Sequence, residues 1–222
     1  MFIGHLALAF AAKPLVPRVS LGWLMAATLF IDLLWPIFLL AGWEHVEIAP
    51  GNTAFTPLAF TDYPITHSLV GAAGWALLAA LAFGVWKKDR RGAWVIGLLV
   101  LSHWFLDAIS HRPDLPLWPG DSPLIGLGLW NSIPRTLMVE GLMFAVGVVL
   151  YLRATLPGDR SGLYPFLGWL ALVLVSYAAA SFGPLPPDAH TLALSALAVY
   201  LLPPWAAWFD RHRVPAERPL AR

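Results

Sequence analysis

Five side chains able to bind a metal or carry a proton, Asp32, His67, His103, Asp107 and His111, stand inside or at the ends of long apolar segments of this chain. Ionisable groups in hydrocarbon are costly to bury and are kept there mainly for function. Between Ser102 and Asp114, His103, Asp107 and His111 recur at every fourth residue, so on a helix they line one face. A single histidine of this kind more often just hydrogen-bonds a neighbouring helix. Three groups in register, with others elsewhere, read instead as a ligand set of imidazole nitrogen and carboxylate oxygen.

The chemistry of such a set is that of a divalent cation, zinc being the best fit to neutral imidazole and carboxylate, with at least one position left open for water. Water bound there ionises near neutral pH and becomes a nucleophile. Asp32, His67, His103 and Asp107 make one four-ligand set, and His5 can share Asp107 as a bridging carboxylate to a second ion. His111 and Glu140 are candidates for a further site or, with Asp107, for proton transfer. One to three ions are therefore expected. Paired metals suit phosphoester hydrolysis because they stabilise both the entering and the leaving oxygen. Arg112 and Arg135 supply the planar donors that would hold non-bridging phosphate oxygens.

The elements that position these groups are membrane helices. Of 222 residues 59% are hydrophobic and only 12% charged, half the charged share of an ordinary soluble domain. An all-α polytopic membrane bundle is expected, embedded in a lipid bilayer. A net charge of +1 gives no reason to expect nucleic acid as a partner, and with no cysteine any metal must be held by nitrogen and oxygen. Six segments reach the roughly 20 residues needed to cross a bilayer: Ser20 to Gly42, Pro64 to Trp86, Ala93 to Ser110, Pro134 to Arg153, Leu163 to Phe182 and His190 to Phe209. Phe2 to Ala12 is too short to cross and reads as a half-membrane or interfacial helix. Lacking a basic stretch before its apolar run, it is expected to be retained rather than cleaved as a signal peptide. A single transmembrane domain over 1–209 and a basic cytoplasmic tail over 210–222 complete this reading. Pro36, which removes the backbone donor for the carbonyl of Asp32, is expected to kink the first span.

Lys13, Arg18, the basic run at Lys87 to Arg91, Arg153, Arg160 and the tail fall on one side of a six-span arrangement, which the positive-inside rule makes cytoplasmic. Counting about 1.5 Å per residue from the outer helix ends puts His67 and Asp107 within roughly 5 Å of the outer boundary, Glu140 at about 9 Å, His103 at about 12 Å and Asp32 at about 15 Å. His5 lies about 12 Å above the inner face on the same count and can meet Asp32 from below. The groups therefore converge on one layer, opening toward the outer, periplasmic leaflet, with the proline-rich segment His111 to Pro123 available as a roof.

The order of these elements, His5, Asp32, Thr66-His67-Ser68-Leu69, the run His103 to Asp107, then His111, resembles the bacterial inner-membrane metal-dependent hydrolases, the LexA-regulated membrane-bound hydrolase family. That family is distantly similar to zinc-dependent phospholipase C and the P1-type nucleases. The resemblance spans about residues 1 to 140 and implies a metal-dependent hydrolase of the bacterial inner membrane. The chain departs from the pattern in two places: Asp62 and Tyr63 stand where many relatives have a His-Arg pair, and Thr136 stands four residues before Glu140 where the phospholipase pattern has a histidine.

The leading expectation is hydrolysis of phosphoester bonds in a phospholipid or lipid-linked phosphate. Two alternatives come from other classes. A metal-ion or proton-coupled transporter would continue the polar path to the inner side, where the spans offer few polar groups below His5 and Asp32. A non-catalytic membrane protein with a structural metal would hold it in a coordinatively closed site.

Overall fold

A computed structural model describes residues 1–216; the end of the expected tail, 217–222, lies outside the described residues. The chain is a multi-pass, all-α membrane protein. It opens with α1 (Ile3–Ala12), followed by α2 (Leu21–Thr28) and α3 (Phe30–Leu40). A loop then carries the hairpin β1 (His45–Ile48) and β2 (Leu58–Asp62). The short α4 (Pro64–His67) then leads into α5 (Leu69–Lys87) and α6 (Arg90–Ser110). A second loop pairs β3 (Leu115–Pro116) with β4 (Leu124–Ile125). Helices α7 (Ile133–Ala154) and α8 (Arg160–Phe182) flank β5 (Thr155–Pro157). The last span joins α9 (Ala189–Ala196) and α10 (Leu202–Arg211) through a 3-10 turn, and β6 (Arg213–Pro215) follows it.

Among the described residues, five helical segments are long and apolar enough to cross a membrane, and α2 with α3, bent by 53°, makes a sixth if taken as one span. Their outward faces carry residues such as Leu77, Leu81, Val85 and Leu142, all exposed, as a surface solvated by lipid requires. Helix starts follow local rules: the side chains of Ser68, Asp89, Asp159 and Asp188 accept from backbone N–H groups of the first turns of α5, α6, α8 and α9.

Helix α1 differs from the spans because it is buried on nearly every side, which is where a short helix that is apolar all round belongs. It packs against α7 so closely that a Cβ on Gly147 would overlap the carbonyl of Ala7. Both of its ends are tied by charge. At the start, Glu140 Oε2 accepts from the backbone N–H groups of Phe2 and Gly4 at 3.0 and 3.3 Å, and a carboxylate there complements the helix dipole. Just past its end, Lys13 Nζ donates to Asp210 Oδ2 at 2.7 Å and to the carbonyl of Val19 at 2.9 Å.

Two expectations change in detail. The first span bends at Leu29, between α2 and α3, and α3 runs on through Pro36. The carbonyl of Thr28 is taken by a side chain of α6, His103, at 2.9 Å, and the helix restarts beyond it. Residues 210–215, read in the sequence as the start of a tail, are built into the bundle. Asp210 is buried, accepting also from Tyr151 and Leu21 N, and β6 pairs antiparallel with β5.

Candidate metal centre

Interruptions in the helices set the site. Asp32 falls in the first turn of α3, directly after the bend, where a carboxylate is favoured by the helix dipole. His67 is the last residue of α4, before Ser68 turns extended and caps α5. His103 and Asp107 occupy the last two turns of α6, and His5 the first turn of α1. Four separate stretches of chain thus deliver ligand-type side chains to one point.

These groups form two triads that share His103: Asp32, His67 and His103, and His5, His103 and Asp107, each with its ligand atoms within 4.8 Å of one another. Asp107, the fourth residue of the set expected from the sequence, belongs to the second triad. His103 Nε2 lies 3.4 Å from Asp32 Oδ1 and 3.1 Å from Asp107 Oδ2, and His67 Nε2 lies 3.7 and 3.8 Å from the same two oxygens. Ligands around a tetrahedral ion with bonds of about 2.0–2.1 Å stand roughly 3.3 Å apart. Asp107 turns its other oxygen to the N-terminal side, where Oδ1 accepts from the Met1 α-amino nitrogen at 2.6 Å and lies 3.1 Å from His5 Nε2. The His5 and His103 rings stack at 3.7 Å.

Hydrogen bonds behind the ligands orient them. The imidazole of His103 donates through Nδ1 to the Thr28 carbonyl, which in the neutral ring leaves Nε2 as the lone-pair nitrogen. That Nε2 is buried and makes no hydrogen bond; it is close to two carboxylates and aimed at neither. His67 is held by a relay. Glu44, which is buried, accepts from the Thr66 hydroxyl at 2.7 Å and from Thr66 N at 2.7 Å. The Thr66 oxygen, its proton committed to Glu44, accepts from His67 Nδ1 at 2.6 Å. His67 Nε2 is again left as a lone pair. The carbonyl behind His103, and the carboxylate reached through Thr66 behind His67, are partners of the kind that orient metal-binding imidazoles.

Beside the triads lies a cavity of 200 Å³ reached by Asp32, His67, Asp107 and His111 and walled by aromatic residues including Trp35, Phe60 and Trp130. Phe55, Thr56, Leu58, Ala180 and Ser181 line both this cavity and a larger one of 540 Å³, between the 50–58 loop and the α8–α9 turn. Asp32 is the ligand most open to it, with 31% of its side chain exposed.

The other predicted residues have separate places. His111 lies outside both triads. Pro113 follows two residues later, α6 stops at Ser110, and His111 takes extended dihedrals, so the third rung of the ladder leaves the helical face. It lines the cavity between Phe60 and Trp130 and pairs through Nδ1 with Asp114 at 2.9 Å. Burial holds this imidazole below the usual histidine value, Asp114 opposing the shift. Tyr63 donates to Asp114 at 3.1 Å, and burial, reinforced by that carboxylate, pushes its phenol well above the usual range. Glu140 is likewise outside the triads and caps α1. Arg112 is paired with Asp114 at 3.3 Å and Arg135 is exposed; neither lines the cavity.

Sequence reasoning missed Glu44, Thr66 and the Thr28 carbonyl as the groups that orient His67 and His103. Thr66 could have been found from its position beside His67. Glu44 and the carbonyl carry no such signal, because only the tertiary fold brings them near. No family model, curated protein or solved structure matches the chain.

Proposed function

We propose that this protein is a membrane-embedded, metal-dependent hydrolase of phosphoester bonds, acting on a phospholipid or lipid-linked phosphate. The observation that carries the reading is the triad of Asp32, His67 and His103, one carboxylate and two imidazoles whose Nδ1 atoms are already engaged, open on one side to a cavity with aromatic walls. Three protein ligands and an open position are the pattern of catalytic zinc sites, whereas structural sites are closed by four. A divalent ion there, zinc by donor chemistry, supplies Lewis acidity and lowers the pKa of bound water.

The chain's own residues divide the remaining work. Asp107 stands beside this triad, in reach of both His103 and His5, and would serve as the base for the attacking water, or would hold a second ion together with His5. The His111–Asp114–Tyr63 cluster faces the same cavity and returns a proton to the leaving oxygen. Glu140 positions His5 by holding the start of α1. Arg112 and Arg135 attract the phosphate from the rim of the outer loops rather than gripping it inside the cavity. The larger groove takes the apolar part of the substrate. By the distribution of basic residues the site faces the outer leaflet of a bacterial inner membrane, with the C-terminal end on the cytoplasmic side.

A polar route continuing through the bundle would have favoured transport. The charged network at the other end, Lys13, Asp210, Tyr151 and Arg213, is instead satisfied internally, which favours a one-sided pocket. The test is to strip the detergent-purified protein of metal, reload it with zinc and assay phospholipids, lipid phosphates and a simple phosphodiester. Zinc-dependent cleavage of one of them is expected; cleavage of none would remove the reading.

A further inference from the structure

At the opposite end of the bundle from the metal centre, two crevices meet. One, of 660 Å³, is lined by Arg18, Lys87, Lys88 and Arg90. The other, of 370 Å³, runs between the first span and α5 and α6 and is lined wholly by apolar side chains, including Ala26, Phe30, Ala79, Ala82 and Val100. Trp23 and Phe83 line both, so the charged and apolar spaces adjoin. We propose that these adjoining crevices bind one anionic phospholipid, the phosphate among the four cations and an acyl chain in the apolar part.

Charge complementarity commits the site to this occupant. All four cations are exposed, and none has an ion-pair partner among the described residues. The one carboxylate in the lining, Asp89, is engaged in capping α6 through Gly92 N at 2.9 Å. Lys88 takes the left-handed conformation, φ 53°, at the C-cap of α5, where glycine is the easier residue; a lysine there adds an ammonium to the crevice. Trp86 packs edge-to-face on Trp23 at 5.1 Å and carries Lys87 Nζ 3.7 Å above its ring, so an aromatic step sits between cations and hydrocarbon, as at a headgroup boundary. Basic pockets between helices recognise acidic headgroups. A neutral lipid would leave the cations uncompensated, and a free anion would leave the apolar crevice unfilled.

The test uses the full chain in detergent, delipidated and titrated with phosphatidylglycerol or phosphatidylcholine, with bound lipids counted by native mass spectrometry. One phosphatidylglycerol is expected to bind roughly tenfold more tightly than phosphatidylcholine. Combining Arg18→Gln, Lys87→Gln and Arg90→Gln should abolish the preference, and Ala82→Trp should weaken binding of both lipids by filling the crevice from its exposed side. If the triple variant does not fold, Lys88→Gly, which relieves the backbone, should still reduce the preference. Equal binding of the two lipids, a preference unchanged in the variants, or complete displacement by inorganic phosphate would overturn the proposal. These positions are remote from the metal centre, so the outcome is independent of the hydrolase reading.

Discussion

Asp107 Oδ2 lies 3.1 Å from His103 Nε2, yet His103 Nε2 makes no hydrogen bond. On the far side of the ring Nδ1 is committed to the Thr28 carbonyl at 2.9 Å, so in its neutral form the ring turns a lone pair toward Asp107. Two acceptor atoms buried face to face repel each other unless a cation lies between or beside them. A histidine that only tied α6 to its neighbours would have turned that nitrogen onto a partner.

Asp107→Asn separates binding from chemistry. Asp32, His67 and His103 remain, so at least one ion should stay bound, while loss of the base should lower kcat on a phosphodiester by about 10²–10⁴-fold. Turnover and metal content measured on the same preparation check this. Unchanged turnover would assign Asp107 to packing alone.

Glu44→Gln tests the relay behind His67. A glutamine offers an NH2 group where Glu44 Oε2 now accepts from Thr66, so the Thr66 hydroxyl must turn its proton toward His67 Nδ1. The ring then carries its own proton on Nε2 and the ligand lone pair is lost. Metal affinity should fall by about 10–100-fold, as for other outer partners of ligating histidines, and competition with a chelator of known affinity measures it. Thr66→Val should give a smaller loss, because it removes the relay without reversing it.

Asp210→Ala concerns the other end of α1. It leaves Lys13 buried with an uncompensated charge, which typically costs about 3–5 kcal/mol. Denaturant unfolding in detergent micelles should show this loss. The double variant Lys13→Met, Asp210→Leu should recover most of it, since apolar replacement of a whole buried pair is often tolerated.

Chelation should destabilise the wild-type protein reversibly. An ion held at a free concentration about 100 times its Kd contributes about 2.7 kcal/mol. Thermal melting with and without chelator should therefore differ, zinc should restore the higher midpoint, and His103→Gln should show no difference.

Much of this arrangement is legible in the sequence. Apolar runs of about 20 residues locate the spans to within a few positions, because the bilayer imposes their length. His5, Asp32, His67, His103 and Asp107 announce themselves as ionisable groups in hydrocarbon. The four-residue ladder holds for His103 and Asp107 and fails at His111, where the helix has ended. The bend at Leu29 is not legible, since Pro36 is the local signal and a carbonyl bonded by a distant imidazole is not. Depth alone makes Glu140 a candidate for a further site or for proton transfer; only the packing of α1 on α7 reveals that its Oε2 caps α1. The pairing of Arg112 with Asp114 is legible from their spacing.

Elemental analysis of the detergent-purified protein beside its His103→Gln variant tests the central claim most directly, because His103 belongs to both triads. At least one divalent ion per wild-type chain, and close to none in the variant, is the predicted result. A wild-type protein that stays metal-free after exposure to zinc, or a variant that binds as much as the wild type, would contradict it.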